Sequence, residues 1–140
     1  MTGAMSVPAR EAFLAEAHIA VISVAAEDDR APLAVPMWYG YEPGGDITLI
    51  TSRGSRKAAL IRRGGRLSVC AQTTEPPRRY VSVEGEVVEI RESVTADERR
   101  ALARRYLGAA GGDAFVDSSP DRTAEMILIR VRPRRWLSRG

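Results

Sequence analysis

The chain has 140 residues, 44% hydrophobic and 28% charged, with 21 basic against 18 acidic side chains and a net charge of +3. Residues 1–140 suffice for one packed domain without staples, and the near balance of charge does not call for a nucleic-acid partner. Cys70 is the single cysteine, which excludes an intrachain disulfide and a cysteine-based metal site, and with His18 the single histidine, placed just before the first expected strand, no Ser-His-Asp or Cys-His set assembles convincingly.

Pro8 to Ala17 carries Phe13 and Leu14 at helical spacing behind Ser6, and predicts a short first helix. Ile19 to Ala26 is rich in β-formers. The apolar run from Ala17 to Ala26 follows Glu11 and Glu16 and is too short to span a membrane, so it is read as a strand, and the lone thiol points to a cytoplasmic protein. Glu27-Asp28-Asp29-Arg30 is a charged turn, and Pro32 to Tyr41 a second extended run, which together make a hairpin. In a chain only 6% aromatic, Trp38, Tyr39 and Tyr41 cluster on that second run. Pro36 removes a ladder donor beside them, and Met37 and Trp38 suit either the wall of a planar ring or an ordinary barrel rim.

After the turn Glu42-Pro43-Gly44-Gly45, the alternation of Ile47, Leu49 and Thr51 predicts a third strand. A helix over 55–63 follows, with Ser55 as N-cap, Leu60 and Ile61 on its apolar face and Gly64-Gly65 as its stop. Lys57 is the single lysine among 21 basic residues, and with Arg56 it falls in the first turn. There the helix dipole disfavours cations. A bound anion would reverse that, since it would meet free amides, the Ser52 and Ser55 hydroxyls and the cations at one point. Two readings stay open from these residues: an anion site, or a capped surface helix in an arginine-rich chain.

Arg66 to Gln72 predicts a fourth strand and Arg79 to Arg91 a long fifth, with Tyr80, Ser82 and Glu84 on one face and Gly85 marking a bulge or a close backbone approach. Thr95-Ala96-Asp97-Glu98 is a capping box that opens a helix through Leu107, with Gly108 as its stop and Leu102 and Tyr106 toward the core. Gly111 to Pro120 reads as a loop. Glu125 to Val131 is the last strand, with Ile127, Ile129 and Val131 on one face, and Arg130 to Arg139 a basic tail with the isolated Trp136. About six strands and two or three peripheral helices, joined mostly by tight turns, give a mainly β fold of the antiparallel-barrel kind. Neither the P-loop nor the Rossmann glycine spacing is present, so an enzyme built on this chain needs a cofactor for its reactivity.

Taken in order, Pro32 to Tyr39, Thr51 to Lys57, Leu60 to Cys70, Pro76 to Gly85, Arg105 to Gly108 and Pro133 to Trp136 resemble the pyridoxamine 5′-phosphate oxidase-like family of flavin- and deazaflavin-binding proteins. The resemblance covers nearly the whole chain and rests on order and spacing. It implies a six-stranded antiparallel split β-barrel that forms a homodimer, with two cofactor sites in the grooves between subunits. By position, Ser55, Arg56 and Lys57 match the phosphate clamp. Val35, Pro36, Met37 and Trp38, with Thr51 and Ser52, match the segments beside the isoalloxazine ring and ribityl chain. Tyr80 and Trp136 match residues near the dimer groove. The C-terminal Arg and His pair of the vitamin B6 oxidases is missing, since no histidine follows His18. The chain is more similar to small arginine-rich actinobacterial members, many of which use the deazaflavin coenzyme F-420 in place of FMN. The function so implied is an FMN- or deazaflavin-dependent oxidoreductase passing hydride to or from a small organic substrate. The alternative is a non-catalytic protein that binds or sequesters the cofactor. Neither a catalytic side chain nor a metal site is assigned.

Overall fold

In the computed structural model, which describes residues 3–140, six strands alternate apolar side chains inward with more polar ones outward. They are β1 (Ala20–Val24), β2 (Leu33–Met37), β3 (Ile47–Ser52), β4 (Arg66–Gln72), β5 (Tyr80–Arg91) and β6 (Met126–Arg139). All pairings are antiparallel, in the order β2-β1-β4-β5-β6-β3. Consecutive strands β2 and β3 thus lie at opposite edges of the sheet, and a short turn can join them only if the sheet curls. It curls into a barrel left split between them. A single bridge joins the edges, with Gly40 and Thr48 exchanging two hydrogen bonds of 2.9 Å. Gly40 permits it because a Cβ there would lie 2.5 Å from the Thr48 hydroxyl.

Inside the curl, Ile22, Val69, Val83, Ile129 and Val131 are fully buried. The Gly85 bulge is real: the β5–β6 register shifts there, and a Cβ on Gly85 would collide with the Val131 side chain. Helix α1 (Val7–Ala15), capped by Ser6, closes one end of the barrel with Phe13 and Leu14. It has no basic residue in its last turn, and Arg105 from far along the chain donates to the Ala15 and Glu16 carbonyls at 2.8 Å instead. Helix α2 (Arg56–Gly64) forms as expected, with the Ser55 hydroxyl accepting from the Ala58 amide at 3.2 Å and Gly65 ending it at φ 72°.

Two stretches differ from the sequence expectation. The basic tail is strand, because β6 continues to Arg139 and pairs with β5 all the way back to Tyr80. Its arginines hide the alternation: several, such as Arg134 on Glu86, point outward to carboxylates. The expected loop from Gly111 is helical. Helix α3 (Ala96–Asp117) opens on the Thr95–Glu98 capping box, breaks at Gly108 (φ 78°, ψ 172°) and returns as a second arm, residues 109–117. Gly112 lets the arms touch, since a Cβ there would lie 2.6 Å from the Arg104 backbone nitrogen. A short 3-10 helix, Pro120–Glu125, leads into β6. Among the described residues, no helix is long and apolar enough to cross a membrane.

Candidate functional site

The split is where the sheet stops hydrogen-bonding to itself, and a cavity of about 420 Å³ lies against it. Met37 and Trp38 close it from the β2 edge and Ile50, Thr51 and Ser52 from β3; Lys57 reaches it from the start of α2. Arg99, Leu102 and Phe115 of α3 roof it, with Ser119, Arg122 and Met126 from the segment that follows. The volume falls in the range of ordinary small-molecule sites. Wider depressions of about 600 and 780 Å³ lie on the outer face of the sheet and lack this mix of aromatic and cationic walls.

Part of the lining is aromatic. Trp38 stacks on Tyr106 with ring centroids 4.9 Å apart and planes 7° from parallel, and Phe115 leans on it at 5.3 Å. Tyr106 is itself fixed, accepting from the Tyr39 amide at 3.0 Å and donating to the His18 carbonyl at 2.7 Å. Trp38 is therefore a preorganised wall. From it a shallower depression runs outward past Pro36, Ile19 and Phe115.

The cavity also has cationic walls, and they meet the aromatic ones where the Arg99 guanidinium lies 5.6 Å from the Phe115 ring. Lys57, Arg99 and Arg122 line the cavity, and no carboxylate does so among the described residues. The first-turn charge of α2 resolves into two cases. Arg56 turns away to Glu27, making a two-pronged pair at 3.0 and 2.8 Å that holds the glutamate pKa down to about 2. Lys57 has no carboxylate partner among the described residues and faces the cavity. The Ser55 hydroxyl is already used, capping Ala58 and donating to the Ser52 carbonyl at 2.9 Å. The Arg56 and Lys57 amides open the helix without a protein acceptor.

Of the residues carried over by resemblance, the structure gathers Met37, Trp38, Thr51, Ser52 and Lys57 around this cavity, with Pro36 at its outer lip and Ser55 capping the helix beside it. Val35 sits on β2 paired with Ile22, half-buried against the core. Tyr80 and Trp136 are elsewhere. Tyr80 lies near the start of β5 opposite Gln72 and Arg139, whereas Trp136 packs toward Tyr41 with the Arg10 guanidinium 4.6 Å above its ring. Sequence reasoning missed Arg99, Phe115 and Arg122. A signal for Arg99 existed, because it stands at i−3 and i−7 from Leu102 and Tyr106, a lone arginine on an otherwise apolar helix face.

Comparison with known proteins agrees with this architecture. The family model described as pyridoxamine 5′-phosphate oxidase matches residues 7–139, and the chain belongs to that family. Among solved structures it is similar to an F420 reductase (20% identity, 91% of this chain and 94% of that one, TM-score 0.73). It is also similar to a conserved hypothetical protein of Mycobacterium tuberculosis (24% identity, 97% and 85%, TM-score 0.78). A FAD-binding protein of Mesorhizobium loti shares the fold as well (15% identity, 99% and 96%, TM-score 0.69). No curated protein matches the chain by sequence.

Proposed function

We propose that this member of the pyridoxamine 5′-phosphate oxidase family binds FMN or the deazaflavin coenzyme F-420 in the cavity at its split and passes hydride between that cofactor and a small organic substrate. The observation that carries the reading is the pairing, in one cavity lining, of a fixed aromatic wall, Trp38, with an uncommitted lysine whose helix opens on two unpartnered amides. A flat ring with a phosphate at the end of a chain suits that pairing. Among proteins of similar fold, one is named an F420 reductase and another a FAD-binding protein, which agrees with the proposed cofactor class.

When bound, the ring supplies the redox chemistry; the chain's residues hold and orient it. Trp38 and Met37 wall the ring. The open edges of β2 and β3 offer backbone donors and acceptors, while Ser52, Lys57 and the first amides of α2 take the phosphate. Arg56 joins them only by leaving Glu27. The cavity lining includes no carboxylate, histidine, tyrosine or cysteine among the described residues, so binding without turnover is the second reading. Reduction of the bound cofactor by NAD(P)H or by a substrate separates the two.

A homodimer is part of the proposal. Pro36, Val21, Cys70, Ser82 and Leu137 stand in register on the outer face across β2, β1, β4, β5 and β6, with Leu137 63% and Val21 41% exposed. Ile19, 52% exposed, continues this stripe to the cavity mouth, so a second copy covering it would also wall the site. Light scattering that gives a 15.3 kDa particle at micromolar concentration would exclude the dimer.

Lys57→Ala tests the cofactor site. It should weaken FMN or deazaflavin binding roughly tenfold to a hundredfold, while riboflavin, which lacks the phosphate, binds weakly and nearly equally to both proteins. Without ligand the variant should unfold no more easily than the parent, because a first-turn cation is lost. Intact phosphate-dependent binding in a destabilised variant would refute the assignment.

A further inference from the structure

Arg99 is the cavity's one cation withdrawn from water: only 5% of it is exposed. Its guanidinium donates to the Ser119 carbonyl at 2.8 Å, the Ser119 hydroxyl at 2.9 Å and the Thr123 hydroxyl at 3.3 Å. All three acceptors are neutral, and no carboxylate among the described residues pairs with it. A buried charge is costly unless something opposite compensates it. Here the fork is fixed, with the Phe115 ring 5.6 Å from its central carbon, yet two of its five N–H groups have no acceptor among the described residues. Arg122 lines the same wall, and burial together with that second positive charge pulls the Arg99 pKa below the ordinary arginine value. Both come from α3 and the 3-10 helix, whereas Lys57 and the free amides come from α2.

We propose that Arg99 and Arg122 form a second anion subsite, which takes a carboxylate or phosphate group distinct from the phosphate assigned to Lys57. The cavity would then select ligands that bring two separate acidic groups. The second group belongs either to the cofactor itself or to an acidic substrate beside it. The inference rests on the flavin reading only for the identity of the first group.

Calorimetry on the full chain tests it with FMN and inorganic phosphate as probes. Phosphate added to FMN-saturated protein should give its own binding isotherm. Arg122→Ala, a change at an exposed residue, should weaken that isotherm about tenfold and leave FMN affinity unchanged, and Lys57→Ala should do the reverse. Displacement of the phosphate by FAD would mark an acidic group carried by the cofactor; its persistence would mark one carried by a separate substrate. Absence of phosphate binding to the loaded parent would overturn the subsite, as would an FMN affinity that falls as far in Arg122→Ala as in Lys57→Ala. Arg99→Lys adds a second control: a lower melting temperature with unchanged phosphate binding would make Arg99 a strut for the Ser119 turn. Should FMN fail to bind the parent, the flavin reading falls alone. Phosphate titration of the unloaded protein then decides the subsite, because two isotherms with separate sensitivity to Lys57→Ala and Arg122→Ala are expected, and a single shared one would overturn it.

Discussion

In the barrel wall Ile22, Val69, Val83 and Ile129 are fully buried and knit into continuous antiparallel ladders. In the roof, the second arm of α3 buries only Gly112 and Val116, and Asp113 and Asp117 tie it to Arg100 and Arg104 through ion pairs that are at least partly exposed. Each buried aliphatic side chain of the wall contributes about 1.5–3 kcal/mol. Water and salt screen the roof's ion pairs, which add far less. The arm is therefore expected to open at a lower free energy than the barrel, and it carries Phe115, which leans on Trp38. On this contrast the wall is expected to set stability and the roof to control access to the proposed cavity.

The largest effect that would test this contrast is Ile129→Ala, which should cost about 2–5 kcal/mol of global stability, read from the denaturant midpoint. An equal loss from Phe115→Ala would break the contrast. Trp38→Ala comes next: cofactor binding should quench tryptophan fluorescence in the parent and much less in this variant, with Trp136→Ala as the control. Quenching that survives in the first and vanishes in the second would move the ring to the other tryptophan. Gly112→Ala should push the arms of α3 apart, shifting Trp38 emission while the denaturant midpoint moves little. A cooperative loss of the whole fold would show that the roof is part of the core.

The smallest effect is that of pH. Arg104, then Arg100, hold the Asp113 carboxyl at about 2, below its ordinary 3.8. A carboxyl whose pKa falls on folding stabilises fully above its unfolded value and loses that contribution as pH falls through the folded one. Trp38 emission should thus be constant above pH 4 and change between about 4 and 2, before the far-ultraviolet signal of the barrel. Simultaneous loss of both signals would contradict an independently loosening arm.

Most of the wall was legible in the sequence because a strand needs only its own alternation: Ile47, Leu49 and Thr51 announce β3, and Ser55 with Gly65 frames α2. What was not legible has three separate causes. Gly111-Gly112 reads as loop, whereas Gly112 is there for a helix–helix contact that only the fold reveals. Residues 132–139 read as a solvated tail because strand and tail share the same arginines until β5 is placed beside them. Arg122 reaches the cavity only through the return of the chain after Gly108, which no local spacing encodes.

The split also bears on how these molecules behave in a crowd. An open barrel has two sheet edges, and an unpaired edge is a template on which identical chains add strand to strand. Pro36 pairs with Val21 in β2, and a proline fits such a ladder only with its nitrogen turned to the open side. An incoming strand would find a missing donor and a ring in its path there. The residue at the lip of the proposed cofactor cavity is thus also a guard against polymerisation, which lets the edge stay open to a small molecule while staying closed to another strand.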